Sequence, residues 1–183
     1  MRTCCVIGLG YIGLPTAALI AKSGIEVLGV DLKVEVVSMV NQGKTHIVEP
    51  DLDKIVSNSV SDGYFKASTL PVSADVFLIV VPTPFKGNHE PDISFVEAAT
   101  KDIIPFLKKG DLYIIESTSP VGTTEKMQEL IFHLRPDLRG NIYIAYCPER
   151  VLPGNVMHEL VYNDRVIGGV NEISTQKAIS FYA

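Results

Sequence analysis

Apolar positions follow two rhythms along this chain. Short uninterrupted apolar runs alternate with stretches in which apolar residues recur every three or four positions. The first rhythm suits strands buried on both faces, and the second suits helices with one buried stripe. The pattern predicts strands at Thr3–Ile7, Glu26–Val30, Phe65–Ser68, Val76–Val81, Leu112–Glu116 and Ile142–Tyr146, with a further short strand at Asp164–Gly169. Helices are predicted at Leu14–Ala21, Lys33–Gln42, Asp51–Ser59, Phe95–Lys108, Thr124–Leu134 and Ile173–Ala183. Gly24 and Gly43 stop the first two. Asp92 or Ser94 caps the fourth, and Pro105 bends or shortens it. Phe85–Pro91 reads as polar loop. Such alternation implies an α/β fold, doubly wound, with a mainly parallel sheet. Right-handed crossovers then point the parallel strands one way and gather their C-terminal ends on one rim, where ligands bind.

The stretch from Thr3 to Gly13 sharpens this picture. A predicted strand runs into Gly8-Leu9-Gly10-Tyr11-Ile12-Gly13, with the spacing G-x-G-x-x-G, and a helix follows. Gly8 permits a tight turn, Gly10 lets backbone approach phosphates, and Gly13 lets the helix pack closely. Free amides and the positive dipole end of that helix hold a pyrophosphate. Asp31 ends the second strand, where a carboxylate accepts hydrogen bonds from ribose hydroxyls and repels a 2′-phosphate, favouring NAD over NADP. Lys33 slightly weakens that preference. The whole is the pattern of a Rossmann-type NAD-binding domain.

Polar residues mark other strand ends. Pro82-Thr83-Pro84 fixes an extended turn that presents the Thr83 hydroxyl. Ser117 and Thr118 follow the next strand, and Glu149-Arg150-Val151 follow the one after. Helix capping accounts for Thr123 and Thr124, but less well for Ser117 and Thr118. Glu149 has a bland alternative, a structural salt bridge with Arg150 or Arg165. His46 reads as a structural or solvated loop residue.

Composition narrows the class only a little. Net charge is −5 and no basic run stands out, which gives no invitation to nucleic acid or an anionic membrane surface. The uncharged stretch from Cys4 to Ala21 imitates a signal peptide, but its glycines, Pro15 and Thr16 have the better explanation above. A cytoplasmic setting is expected. Adjacent Cys4 and Cys5 point to opposite faces of a strand, and with Cys147 they read as reduced packing thiols. No cluster has metal-ligand spacing, so no metal is expected.

The segments VIGLGYIGLPTA, VDLK, VPTPF, ESTSPVGTTEK and CPERVLPG resemble the UDP-glucose/GDP-mannose dehydrogenases across nearly the whole chain. The form CPERVLPG resembles the branch acting on N-acetylated UDP-sugars, and HIVEPDL, PTPFKGNHEPD and NDRVIGG resemble a member of it that supplies the uronic acid of enterobacterial common antigen. This resemblance implies NAD-dependent oxidation of a UDP-sugar C6 hydroxyl to a carboxylate in two hydride transfers, by a homo-oligomeric enzyme. It implies that Tyr11, Ile12, Asp31, Thr83 and Thr118 contact NAD and that Arg150 and Val151 touch the nucleotide sugar. Glu149 would assist proton transfer or hold a water that Thr118 helps to position. The family's nucleophilic cysteine and its lysine belong to a segment C-terminal to everything in this chain, and Cys147 is not a substitute. The expectation is therefore an NAD-binding domain over 1–183, with a core to about 170 and the start of a truncated connecting helix from 171. Alone it would bind NAD weakly with little turnover. A UDP-N-acetylglucosamine or UDP-glucose dehydrogenase, or a non-catalytic nucleotide-binding module, remain alternatives.

Overall fold

The alternating pattern folds into seven strands flanked by helices on both faces, in a computed structural model that describes residues 2–183. In chain order the elements are β1 (Thr3–Ile7), α1 (Gly13–Lys22), β2 (Glu26–Val30), α2 (Val34–Asn41), α3 (Leu52–Ser61), β3 (Phe65–Ser68) and β4 (Val76–Ile79). A small hairpin of β5 (Phe85–Lys86) and β6 (Glu90–Pro91) precedes α4 (Ser94–Ile103) and β7 (Leu112–Ile115). Then come α5 (Thr123–Leu134), β8 (Tyr143–Tyr146), α6 (Val156–Tyr162), β9 (Gly168–Gly169) and α7 (Glu172–Tyr182).

The main sheet has the order β3-β2-β1-β4-β7-β8-β9. Its first six members are parallel, and β9 alone pairs antiparallel, with β8. Strand order reverses direction at β1, so the switch point lies between β1 and β4. Successive strand residues face opposite layers. Cys4 and Val6 join Leu14, Ala17 and Ala18 of α1, Val40 of α2, Leu52 of α3 and Ala178 of α7 in one layer. Cys5 and Ile7 join Val96 and Ile103 of α4 and Met127 and Ile131 of α5 in the other. Helices cover both faces of the sheet, which is why β4 and β7 are buried at every position and carry no charged residue. Each large side chain so buried contributes about 1.5–3 kcal/mol. The fully buried phenol of Tyr113 keeps its hydroxyl satisfied by Thr100 Oγ1 at 2.7 Å.

Several predicted boundaries change. Val80 and Val81 leave the β4 ladder, because the chain turns toward Pro82 and Pro84, which have no N–H to donate. Phe85–Pro91 is a hairpin rather than an open loop, tied by Lys86 Nζ to Asp92 Oδ1 at 2.9 Å. Asp92 Oδ1 also accepts from the Ser94 amide at 2.9 Å, and Pro105 ends α4 in a single tighter turn. The strand predicted over Asp164–Gly169 shrinks to two glycines. Arg165 is drawn instead toward two carboxylates. Helix α6 has no counterpart in the apolar pattern, because its buried Val156 and Leu160 are too few to stand out. The uncharged Cys4–Ala21 stretch divides into β1 and α1, and no helix among the described residues is long and apolar enough to cross a membrane.

Candidate functional site

The loop from β1 into α1 is shaped by what its glycines exclude. Gly8 has φ +98°, and a Cβ there would lie 2.4 Å from the Val80 carbonyl oxygen. A Cβ on Gly13 would lie 1.8 Å from the Gly8 carbonyl oxygen, so α1 begins closer to the loop than any side chain allows. Gly10 differs from both: a Cβ there would meet nothing within 4 Å. Its missing side chain opens outward, as a cradle for a phosphate requires. The Tyr11 and Ile12 amides have no protein acceptor among the described residues. The donor set and the open cradle therefore fit a dinucleotide pyrophosphate.

Asp31 stands at the end of β2 beside this loop. Its Oδ2 accepts from the Leu9 amide at 3.1 Å and its Oδ1 from the Lys33 amide at 2.9 Å. One lone pair on each oxygen stays available for a ribose hydroxyl.

Across the switch point lies an open crevice of about 380 Å³. Gly8, Gly10, Tyr11 and Ile12 line one side, with Val80–Thr83 from the end of β4. Glu116–Thr118 from just beyond β7, and Glu149 and Val151 from beyond β8, line the other. Ser117 is buried and donates to the Val81 carbonyl at 2.7 Å, so its hydroxyl fixes the wall, whereas Thr118 is exposed. Thr123 donates to the Pro120 carbonyl at 2.7 Å and does not cap α5. The structure thus brings together most of the residues singled out from sequence. Asp31 borders the crevice without lining it, and Gly13 is buried behind it. Arg150 is exposed and outside the lining; its amide donates to Glu149 Oε1 at 2.8 Å.

Behind the β7–β8 side lies a cluster the sequence reading missed. Glu116 is 1% exposed. Its Oε1 accepts from the Tyr182 hydroxyl of α7 and lies 3.9 Å from Arg165 Nη1. The same Nη1 lies 3.4 Å from Glu149 Oε2, and the guanidinium carbon sits 4.4 Å from the Tyr182 ring centre. Of the two salt bridges foreseen for Glu149, the one with Arg165 exists. Glu116 Oε2 is buried and has no partner among the described residues. Burial pushes the Glu116 carboxyl up to about 7, with Tyr182 and Arg165 opposing and Glu149 adding to the rise. Cys147 is also enclosed here, and burial raises its thiol above the ordinary range.

Glu49, 6% exposed, was likewise not assigned a part. It accepts from the Tyr11 hydroxyl, from the Gly154 amide at 2.7 Å and from the Val156 amide at 3.3 Å. One carboxylate therefore ties the glycine loop to the segment that follows Glu149. The acid sits in a loop before α3, and no local spacing announces such distant partners. His46 is exposed in that loop.

Known proteins agree with this geometry. The dehydrogenase from Yersinia pestis named UDP-N-acetyl-D-mannosamine dehydrogenase is 57% identical over 99% of this chain and 45% of its own length. An NDP-N-acetyl-D-galactosaminuronic acid dehydrogenase of Ralstonia nicotianae is 52% identical, with the same coverage. The solved structure of the UDP-D-ManNAc dehydrogenase from Pyrococcus horikoshii superposes with a TM-score of 0.92 at 42% identity, over 98% of this chain and 44% of that one. The chain thus spans about half the length of the relatives it matches. The model of the UDP-glucose/GDP-mannose dehydrogenase family, NAD binding domain, matches residues 2–183. The chain belongs to that family and forms its NAD-binding domain.

Proposed function

We propose that this chain is the NAD-binding half of a cytoplasmic dehydrogenase that oxidises the C6 hydroxyl of UDP-N-acetyl-D-mannosamine to the uronate in two hydride transfers. We further propose that alone it binds NAD without turnover. The observation carrying this reading is the convergence of Gly8–Ile12, Thr83, Thr118 and Glu149 on one crevice, with Asp31 bonded to its glycine loop. When bound, NAD supplies the hydride acceptor.

Each part of the chain then has a physical task. The Tyr11 and Ile12 amides hold the pyrophosphate, and the open side of Gly10 admits it. Asp31 accepts from the ribose and disfavours a 2′-phosphate. Thr83, beside the loop, and Thr118, across the crevice from it, offer hydroxyls. Oxidation of the alcohol, and then of the thiohemiacetal that the family's cysteine would form with the aldehyde, each time releases a hydride and a proton, and water then hydrolyses the resulting thioester to the carboxylate. The Glu149 carboxylate, steadied by the Arg150 amide and the Arg165 guanidinium, receives that proton directly or through a water beside Thr118. Arg150 and Val151 face the nucleotide sugar. Cys147 takes no covalent part, because it is enclosed and its thiol is kept protonated. In this reading the substrate is the UDP-sugar of the 55–57% identical relatives. A screen including other N-acetylated UDP-sugars and UDP-glucose decides among the alternatives.

Isothermal titration of this chain with NAD and NADP tests the reading. NAD should bind the more tightly, and D31N should narrow the difference about tenfold. Tighter binding of NADP by the parent chain would refute the role of Asp31. Production of a uronate by this chain alone would refute its inactivity.

A further inference from the structure

We propose that Glu116 is the residue by which this crevice tells an oxidised, positively charged nicotinamide from a reduced, neutral one. The proposal rests on the dehydrogenase reading above. Asp31 places the adenosine end of a dinucleotide at β2, so the other end extends past the switch point toward β4, β7 and β8. Glu116 lines the crevice there, with Thr118 and Glu149 on its own side and Thr83 at the end of β4.

The charges there do not balance. Arg165 is within ion-pair distance of both Glu116 and Glu149, and no second cation reaches either among the described residues. With both carboxylates ionised the cluster carries a net negative charge in a place with little water to screen it. The remaining titratable neighbours are the phenol of Tyr182 on α7, the Cys147 thiol after β8 and the Cys4 thiol on β1. Burial raises all three, so they stay neutral and add no positive charge. One oxygen of Glu116 meanwhile lacks any partner. Two events relieve it: a proton on the carboxyl, or a cation in the crevice. The rise of this group to about 7 keeps both within reach at neutral pH. A cationic ring favours the carboxylate and expels the proton, whereas the neutral reduced ring does neither. Binding is thereby weighted toward the oxidised form, which helps the reduced product leave.

Calorimetry on the 183-residue chain tests this, with NAD⁺ and NADH titrated near pH 7 in phosphate and in Tris. The two buffers differ in ionisation enthalpy and so report protons released. NAD⁺ binding should release a fraction of a proton and NADH binding none. NAD⁺ affinity should rise from pH 6 to 8.5 while NADH affinity stays flat. The shape-conserving E116Q should abolish the release and lower the NAD⁺/NADH affinity ratio about tenfold. A merely structural Glu116 would alter melting temperature and leave that ratio unmoved, which would overturn the proposal. Equal pH profiles for the two ligands on the parent chain would overturn it without any variant. Failure of both ligands to bind would remove the dehydrogenase reading itself, and this proposal with it.

Discussion

The two walls of the crevice are built in opposite ways. On the β1–α1 side the working groups are backbone: amides freed at a helix start, and glycines that leave room. On the β7–β8 side they are side chains, Glu116, Glu149, Arg165 and Tyr182, delivered from four separate segments. A backbone device needs particular residues at adjacent positions, so it writes itself into a short stretch of chain. A side-chain device needs only spatial convergence, and the fold supplies that from anywhere.

The largest test of the contrast lies within the glycine loop. G13A should abolish folding or destabilise by about 3 kcal/mol or more, because its methyl must displace backbone. Thermal denaturation measures this. G10A should melt within about 0.5 kcal/mol of the parent, since its methyl meets no protein atom, yet weaken NAD about thirtyfold. Equal destabilisation by both variants would break the distinction between packing and cradle.

On the side-chain wall the sensitive variable is pH. Burial raises Glu116 to about 7 and Asp111 to about 6, each above its ordinary value. A carboxyl with a raised pKa in the folded state holds its proton there more tightly than in the unfolded chain. Its contribution is complete below the unfolded pKa and is lost as pH climbs through the folded one. Stability should therefore fall between pH 5 and 8, by on the order of 1–3 kcal/mol for Glu116. E116Q should flatten that slope while leaving the share due to Asp111. A slope unchanged in E116Q would show that Glu116 ionises freely. The smallest effect belongs to Y11F. Glu49 would lose one donor but keep the Gly154 and Val156 amides, a change of about 0.5–1 kcal/mol by chemical denaturation.

The same contrast explains what could be read beforehand. Runs such as Val76–Ile79 and Leu112–Ile115 are apolar throughout because both faces are covered, so the parallel sheet was legible. The glycine spacing and Asp31 lie within one β-α-β unit, whose geometry is local. Thr83, Thr118 and Glu149 were legible as polar residues at strand ends. Glu116 looked like the last residue of a strand, and nothing near it names Tyr182, 66 positions away, as its partner. Arg165 was considered for Glu149 but not for Glu116, since one guanidinium serving two carboxylates has no linear signature. The extent of β9 differs from the expected Asp164–Gly169 for a related reason. Val166 and Ile167 suggest a strand, but only Gly168 and Gly169 join the sheet, and they run against it.

Glu49 ties the glycine loop to the segment after Val151, two stretches that the proposed function gives to the coenzyme and to the nucleotide sugar. Anything that quiets the Tyr11 hydroxyl also quiets Gly154 and Val156, through a single carboxylate. Whichever guest arrives first removes disorder that its successor would otherwise have to remove, so the two occupancies should reinforce each other with no visible shift in shape. Slower amide exchange at Gly154 and Val156 upon addition of coenzyme alone would register that mutual help.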